Sequence, residues 1–258
     1  MKTAFLITAR LKSTRLPKKI LLEVAGKPLI VHMIDRLKCA ETINNIIICT
    51  STNSQDNPLE EIAVQEEVDC FRGSEHDVLQ RLLDTAKEYH LPFFSNITAD
   101  CPITDPTIVD WAVKEHTEKN ADLTLFNNKQ RNLPFNCYVI QTDVLEKVVN
   151  NKTVYDTEVW LKYFLADSKI NINTITPGQE YCHSSLKTSI DYPEDYEFMK
   201  RIFIELYDPQ KIFSLLDIIK LVKKKPEILK INANKKLHER WNIHRKNIQL
   251  TKKPHINK

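Results

Sequence analysis

The sequence predicts an α/β fold, an open, mostly parallel sheet with helices on both faces. Three observations carry this expectation. Short apolar runs such as TAFLITA and NNIIICTS fit strands buried on both faces. Each run is followed by a stretch whose apolar residues recur at helical spacing. Up to Asn127 the two kinds alternate as β-α-β-α-β-α-β-α-β, the order that a parallel sheet with crossover helices requires.

The first strand, TAFLITA, leads through a basic connection into GKPLIVHMIDRLKCA. There Leu29, Ile30, Met33, Ile34 and Leu37 form one helical face. NNIIICTS is the second strand and NPLEEIAVQEE the next helix. VDCFRG is the third strand and EHDVLQRLLDTAKEYH its helix. FFSNITA is the fourth strand, and DPTIVDWAVKEHTEKN follows with Pro106 in its first turn. ADLTLFN is the fifth. Beyond Asn127 the alternation weakens: CYVIQ reads as a strand, TDVLEKVV as a helix capped by Thr142, TEVWLKYFLAD as a helix and KININTIT as a strand. LKTSI reads as a further strand, YPEDYEFMKRIFIELY as a helix, and SLLDIIKLVKKK as a helix ending at Pro226.

Ligands of open parallel sheets bind beyond the carboxyl ends of the strands, so residues just after each strand matter most. The first such connection, RLKSTRLPKK, carries Arg10, Ser13, Arg15 and Lys19. Backbone N–H groups, bidentate arginines and a mobile lysine charge together suit a polyphosphate; a solvated basic loop is the plainer alternative. With glycines only at 26, 73 and 178, the chain has neither a P-loop nor a dinucleotide-binding G-x-G-x-x-G. Asp100, in ITADCP, follows the fourth strand and either holds Mg²⁺ or caps a turn before Pro102. Asp191, in SIDYPEDYEF, is either a helix N-cap or a second Mg²⁺ ligand opposite Asp100.

Composition narrows the class. The 258 residues, 42% of them apolar, suffice for one large α/β domain with or without an appendage. No apolar run approaches the roughly 20 residues of a membrane span, and MKTAFLITAR lacks the cleavage site of a signal peptide. Cys39, Cys49, Cys70, Cys101, Cys137 and Cys182 are scattered without a C-x-x-C pair, as expected of reduced thiols in a cytoplasmic protein. The net charge of +3 conceals a basic end: residues 220–258 hold 13 Lys or Arg and two acids. Such a tail could meet nucleic acid or an acidic partner, but it contains no nucleic-acid motif and reads first as a solvated terminal extension.

Taken in order, ARLKSTRLPKK, AGKP, FRGSEHDVLQR, ITADCPITDP and SIDYPEDYEF resemble the bacterial cytidylyltransferases related to SpsF, cousins of the acylneuraminate and Kdo cytidylyltransferases. The matches span about the first 130 residues and 185–205. The resemblance implies a GT-A-like nucleotidyltransferase fold, with a catalytic domain over 1–215, an acceptor and dimer segment around 128–185, and a basic helical extension over 216–258. It implies that Arg10, Ser13, Arg15 and Lys19 hold the CTP triphosphate, with Arg10, Lys19 and Asp100 acting in catalysis. Asp100 and Asp191 would hold Mg²⁺, and Arg72, Ser74 and Arg81 would lie near the nucleotide. Lys18 stands where the family has glycine.

The implied reaction is in-line attack of an acceptor oxygen on the α-phosphorus of CTP, releasing pyrophosphate, with an acidic sugar, sugar phosphate or phosphonate as acceptor. The family's acidic P-D-G-L-D-V-E stretch is replaced here by residues that include Phe135, Asn136, Cys137 and Tyr138, which points to a different acceptor. His183, Ser184 and Lys187 could contact that acceptor or simply form an exposed loop. Relatives in that family are often dimers, so the resemblance allows a homodimer. Two alternatives stand beside this reading: a GT-A glycosyltransferase, which usually shows a D-x-D metal pair absent here, and a non-catalytic nucleotide-binding regulator, which would need no second metal carboxylate.

Overall fold

The computed structural model describes residues 2–127 and 137–234. In chain order the strands are β1 Ala4–Thr8, β2 Glu23–Val24, β3 Lys27–Pro28, β4 Asn45–Ser51, β5 Asp69–Gly73, β6 Phe93–Thr98, β7 Leu123–Phe126, β8 Tyr138–Gln141 and β9 Ile172–Ile175. The helices are α1 Leu29–Leu37, α2 Asn57–Gln65, α3 Val78–Glu88, α4 Pro106–Glu118, α5 Thr142–Asn151, α6 Leu161–Leu165, α7 Pro193–Leu206 and α8 Leu215–Lys224. Seven strands make one sheet in the order β5-β4-β1-β6-β8-β7-β9.

The predicted alternation through β7 is present, but the sheet is mixed. β8 pairs antiparallel with both β6 and β7, so it runs against its neighbours. β1, β4, β5 and β6 are parallel, as are β7 and β9. Alternation along β1 sorts its side chains between two cores. Phe5 and Ile7 face one built with α1, α2, α4, α7 and α8, and Ala4 and Leu6 face another built with α3, α5 and α6. Helices therefore cover both faces, and the site edge lies at the carboxyl ends of β1, β4, β5 and β6.

Three local expectations are corrected. LKTSI is not a strand, because its lysine and backbone bond across to the Asp100 and Asp195 segments instead of a sheet neighbour. Thr142 lies inside α5 and donates its hydroxyl to Leu91 O in the turn between α3 and β6, leaving Gln141 as the N-cap. The helix expected over TEVWLKYFLAD is confined to Leu161–Leu165, since Thr157 is spent on bonds to α3. The basic connection also hides a two-residue-per-strand hairpin, β2–β3, closed by Gly26 at φ +80.

Residues 215–231 pack onto the body of the domain. Ile218, Ile219, Val222 and Ile228 are buried in the larger core, and Ser214 caps α8 through a reciprocal bond pair with Asp217. Leu215 N donates to Asp105 Oδ2 at 2.7 Å, and Arg36 Nη2 to Phe213 O at 2.7 Å, so polar bonds as well as burial anchor this end. The rest of the basic extension, 235–258, and the acceptor residues Phe135 and Asn136 lie outside the described residues.

Candidate active site

The basic loop between β1 and α1 is shaped from below. Buried Asp56 accepts from Leu11 N at 2.8 Å and from Ser51 Oγ, fixing the start of the loop against the end of β4. Leu16 N donates to Ser13 Oγ at 3.4 Å, so Ser13 closes a turn within the loop. Lys18 has φ 52 and ψ 31, the left-handed conformation that glycine adopts without steric cost. The next three residues, Lys19–Leu21, form a 3₁₀ turn whose buried Ile20 pins it to the core. Lys19 thus leaves a rigid turn and points back across the strand ends.

There it meets both candidate metal carboxylates. Lys19 Nζ lies 3.0 Å from Asp100 Oδ2 and 3.2 Å from Asp191 Oδ1, and donates also to Ile190 O. Asp100 aims its side chain at Lys19 instead of capping its own turn; Asp105 caps α4. Asp191 is not the N-cap of α7, a position held by Tyr192. Ile190 N donates to Asp100 O at 2.9 Å, which clasps the two carboxylate-bearing segments together. Arg15 reaches the same carboxylate, Nη2 to Asp191 Oδ1 at 3.1 Å, and its guanidinium stacks 5.1 Å from the Tyr192 ring centroid.

The electrostatics follow from this packing. Burial opposes the Lys19 charge, but Asp100 and Asp191 outweigh it and hold its pKa above the ordinary value. Burial likewise opposes ionisation of Asp191, but Lys19, Lys187 and Arg15 outweigh it and hold its pKa below the ordinary value. Lys187, read as either an acceptor contact or part of an exposed loop, is largely buried and bridges Asp191 Oδ2 at 3.4 Å and Asp195.

The remaining predicted residues lie around this centre. Arg10 donates from Nη1 to Glu75 O at 2.7 Å and pairs with Glu158 at 3.5 Å. Lys12 pairs with Glu75 at 2.9 Å; that bond and one from Asn53 depress the Glu75 pKa to about 2. Ser74 Oγ accepts from Asp77 N at 3.1 Å, a turn that precedes α3. Arg72 braces the β4 exit, giving Nε to Ser51 O at 3.0 Å and Nη2 to Asn53 O at 2.9 Å. Arg81 is 1% exposed and donates upward to Ser74 O and Glu75 O, so it holds the backbone of that loop from beneath. The structure therefore gathers Arg15, Lys19, Asp100 and Asp191 at one point, sets Arg10 and Ser74 on the adjoining loop rim, and gives Arg72 and Arg81 backbone-bracing contacts.

Sequence reasoning passed over Asp56, Glu75 and Asp195. Asp195 was detectable: Tyr192-Pro193-Glu194-Asp195 has the spacing of an N-cap and an acidic N3 residue around a first-turn proline.

The family model described as cytidylyltransferase matches residues 4–207. The chain belongs to the cytidylyltransferase family. A cytidylyltransferase structure from Leptospira borgpetersenii serovar Hardjo-bovis superposes with a TM-score of 0.81 at 29% identity, covering 92% of this chain and 99% of that one. An uncharacterized protein of Methanocaldococcus jannaschii is 30% identical over 91% of this chain and 96% of its own. The spore coat polysaccharide biosynthesis protein SpsF of Bacillus subtilis is 24% identical over 86% of this chain and 95% of its own. This cytidylyltransferase carries out CTP-dependent transfer of CMP to an acceptor, in place of the sugar transfer or passive nucleotide sensing that the sequence also left open. Among the described residues no helix is long and apolar enough to cross a membrane.

Proposed function

We propose that this cytidylyltransferase uses Mg²⁺ and the residues around Lys19 to transfer CMP to a small anionic acceptor, an acidic sugar, sugar phosphate or phosphonate, in the assembly of a cell-surface glycan. The observation that carries the proposal is the meeting of Lys19 with Asp100 and Asp191 at the sheet's carboxyl edge. The similarity to the SpsF protein supports the glycan setting. The six cysteines, none of them joined in a disulfide among the described residues, support a cytoplasmic one.

The donor set fits Mg²⁺. No cluster of three or more metal-ligating side chains exists among the described residues. Mg²⁺, however, typically takes one or two carboxylates and completes its shell with phosphate oxygens and water. Asp100 and Asp191 supply two carboxylates converging on a point now filled by an ammonium. Bound there, the ion would neutralise charge on the reacting phosphate.

The chain's own residues do the rest. Arg10, Ser13, Arg15 and Lys19 bind and orient the triphosphate. Lys19, released from the carboxylates, stabilises charge that develops on the departing pyrophosphate. An ionised acceptor oxygen attacks the α-phosphorus in line, so no protein nucleophile is needed. The Ser74–Glu75 loop, braced by Arg81, flanks the nucleoside, and Arg72 braces the neighbouring β4 exit. A homodimer contact belongs to the 128–185 segment, where Val154, Tyr155 and Leu165 are exposed.

The test is pyrophosphate release with each of the four NTPs, Mg²⁺ and a panel of acidic sugars, sugar phosphates and phosphonates. CTP-specific, acceptor-dependent release that disappears in Asp100→Ala supports the proposal. Acceptor-dependent release with CTP that survives Asp100→Ala or needs no divalent cation refutes it.

A further inference from the structure

Asp191 has a second support that comes from outside the stretch matched by the family. Asp195, 1% exposed, accepts from Asp191 N and Tyr192 N, both at 3.0 Å, through Oδ2, which also receives Lys187 Nζ. Its other oxygen, Oδ1, accepts from Asn232 Nδ2 at 3.0 Å. Asn232 is itself buried, 4% exposed, and its amide also lies 3.5 Å from Lys187 O. The family match ends at residue 207, so Asn232 reaches this network from the 3₁₀ segment Pro226–Ile231 that follows α8.

We propose that Asn232 is a positioning residue for the cytidylyltransferase reaction, acting through Asp195 to set the Asp191 carboxylate and the Lys187 ammonium beside it. A carboxylate whose two oxygens are bonded on both sides cannot rotate without breaking bonds in a low-dielectric setting. Asn232 removes that freedom from Asp195. Asp195 in turn fixes the backbone that carries Asp191 and the lysine that pairs with it. An amide donor suits this place, because a carboxylate there would face Asp195 with like charge and an apolar side chain would leave Oδ1 unbonded. The proposal rests on the reading of Asp191 as a residue that works with Mg²⁺ and CTP.

The experiment compares Asn232→Asp, Asn232→Ala, Ile228→Ala and Asp191→Asn in the full-length chain. Ile228→Ala loosens the same C-terminal segment from the core but leaves the amide in place. Three quantities are read: the unfolding midpoint, amide hydrogen exchange of residues 190–192 in metal-free protein, and the Mg²⁺ concentration for half-maximal pyrophosphate release with kcat and KM separated. Both Asn232 variants are expected to speed exchange of the Asp191 and Tyr192 amides at least fivefold. They should raise the half-activating Mg²⁺ three- to tenfold, the Asp variant more than the Ala. Ile228→Ala should lower the midpoint without moving the other two quantities. Asn232 variants that change only the midpoint, as Ile228→Ala does, overturn the proposal. Faster exchange with unaltered Mg²⁺ dependence and KM also overturns it, because Asn232 is then only structural. Should Asp191→Asn lose activity while the Asn232 variants match wild type, this inference fails and the role of Asp191 stands. Should Asp191→Asn retain full activity, both fail.

Discussion

Replacing Lys19 by methionine removes an ammonium that both Asp100 and Asp191 touch, while keeping most of the side-chain volume. Nζ lies 3.0 Å and 3.2 Å from the two carboxylate oxygens, so these stand at most about 6 Å apart and repel by about 0.7 kcal/mol at the dielectric of water and about 3 kcal/mol at an effective dielectric of about 20. The half-buried setting lies between these limits, so metal-free Lys19→Met should lose about 1–3 kcal/mol of stability. The same change should create an affinity. Wild-type protein already neutralises the carboxylate pair internally, so Mg²⁺ without nucleotide should leave its unfolding midpoint unmoved. In Lys19→Met Asp100 loses its ammonium partner and Asp191 keeps only Arg15 and Lys187, which opens the pair to the ion. With a dissociation constant of about 1 mM, about 10 mM Mg²⁺ adds about 1.4 kcal/mol. For a chain of this size that is about 3–5 °C. Thermal unfolding with EDTA and with rising Mg²⁺, no CTP present, is the assay. A Lys19→Met midpoint as indifferent to Mg²⁺ as the wild type would refute the shared-site reasoning.

Three further outcomes are expected. Asp100→Asn should lower kcat/KM for CTP by about a hundredfold or more, with its far-UV spectrum unchanged, as steady-state pyrophosphate release will show. The Asp191 pKa is lowered in the fold, so its contribution is present above the ordinary aspartate value of 3.8 and is lost as pH falls through the folded value. The midpoint gap between wild type and Asp191→Asn should therefore be open at pH 7 and should close in acid, and melts from neutral pH downward will read it. Lys18→Gly, at φ 52, should stabilise the protein by about 1 kcal/mol in urea unfolding, since glycine enters the left-handed region without the Cβ clash.

Much of the candidate site's placement was readable because its residues follow strands whose composition is unambiguous. TAFLITA and FFSNITA could only be buried strands, and that put the basic loop and Asp100 on the same edge. Other features could not be read locally. CYVIQ announces a strand but carries no information about direction, and only the tertiary slot between β6 and β7 makes it antiparallel. LKTSI has strand-like composition, yet its lysine is drawn to Asp191 and Asp195, partners brought near by α7. Arg81 lies in a loop-and-helix motif that also reads as nucleotide-binding, but helical periodicity turns it inward beneath Ser74 and Glu75. Lys18 shows the converse case: a departure from the family's glycine that keeps glycine's backbone conformation.

The reversed strand β8 has a consequence for how the protein is made. It fills the gap between β6 and β7, two strands that precede it in the chain. Until residues 138–141 leave the ribosome, β6 has an unpaired edge and β7 cannot join the sheet through its native neighbour. The nascent chain therefore carries an incomplete sheet through the synthesis of residues 99–137. Over that interval its open edge is the kind of surface on which chaperones act and aggregation begins.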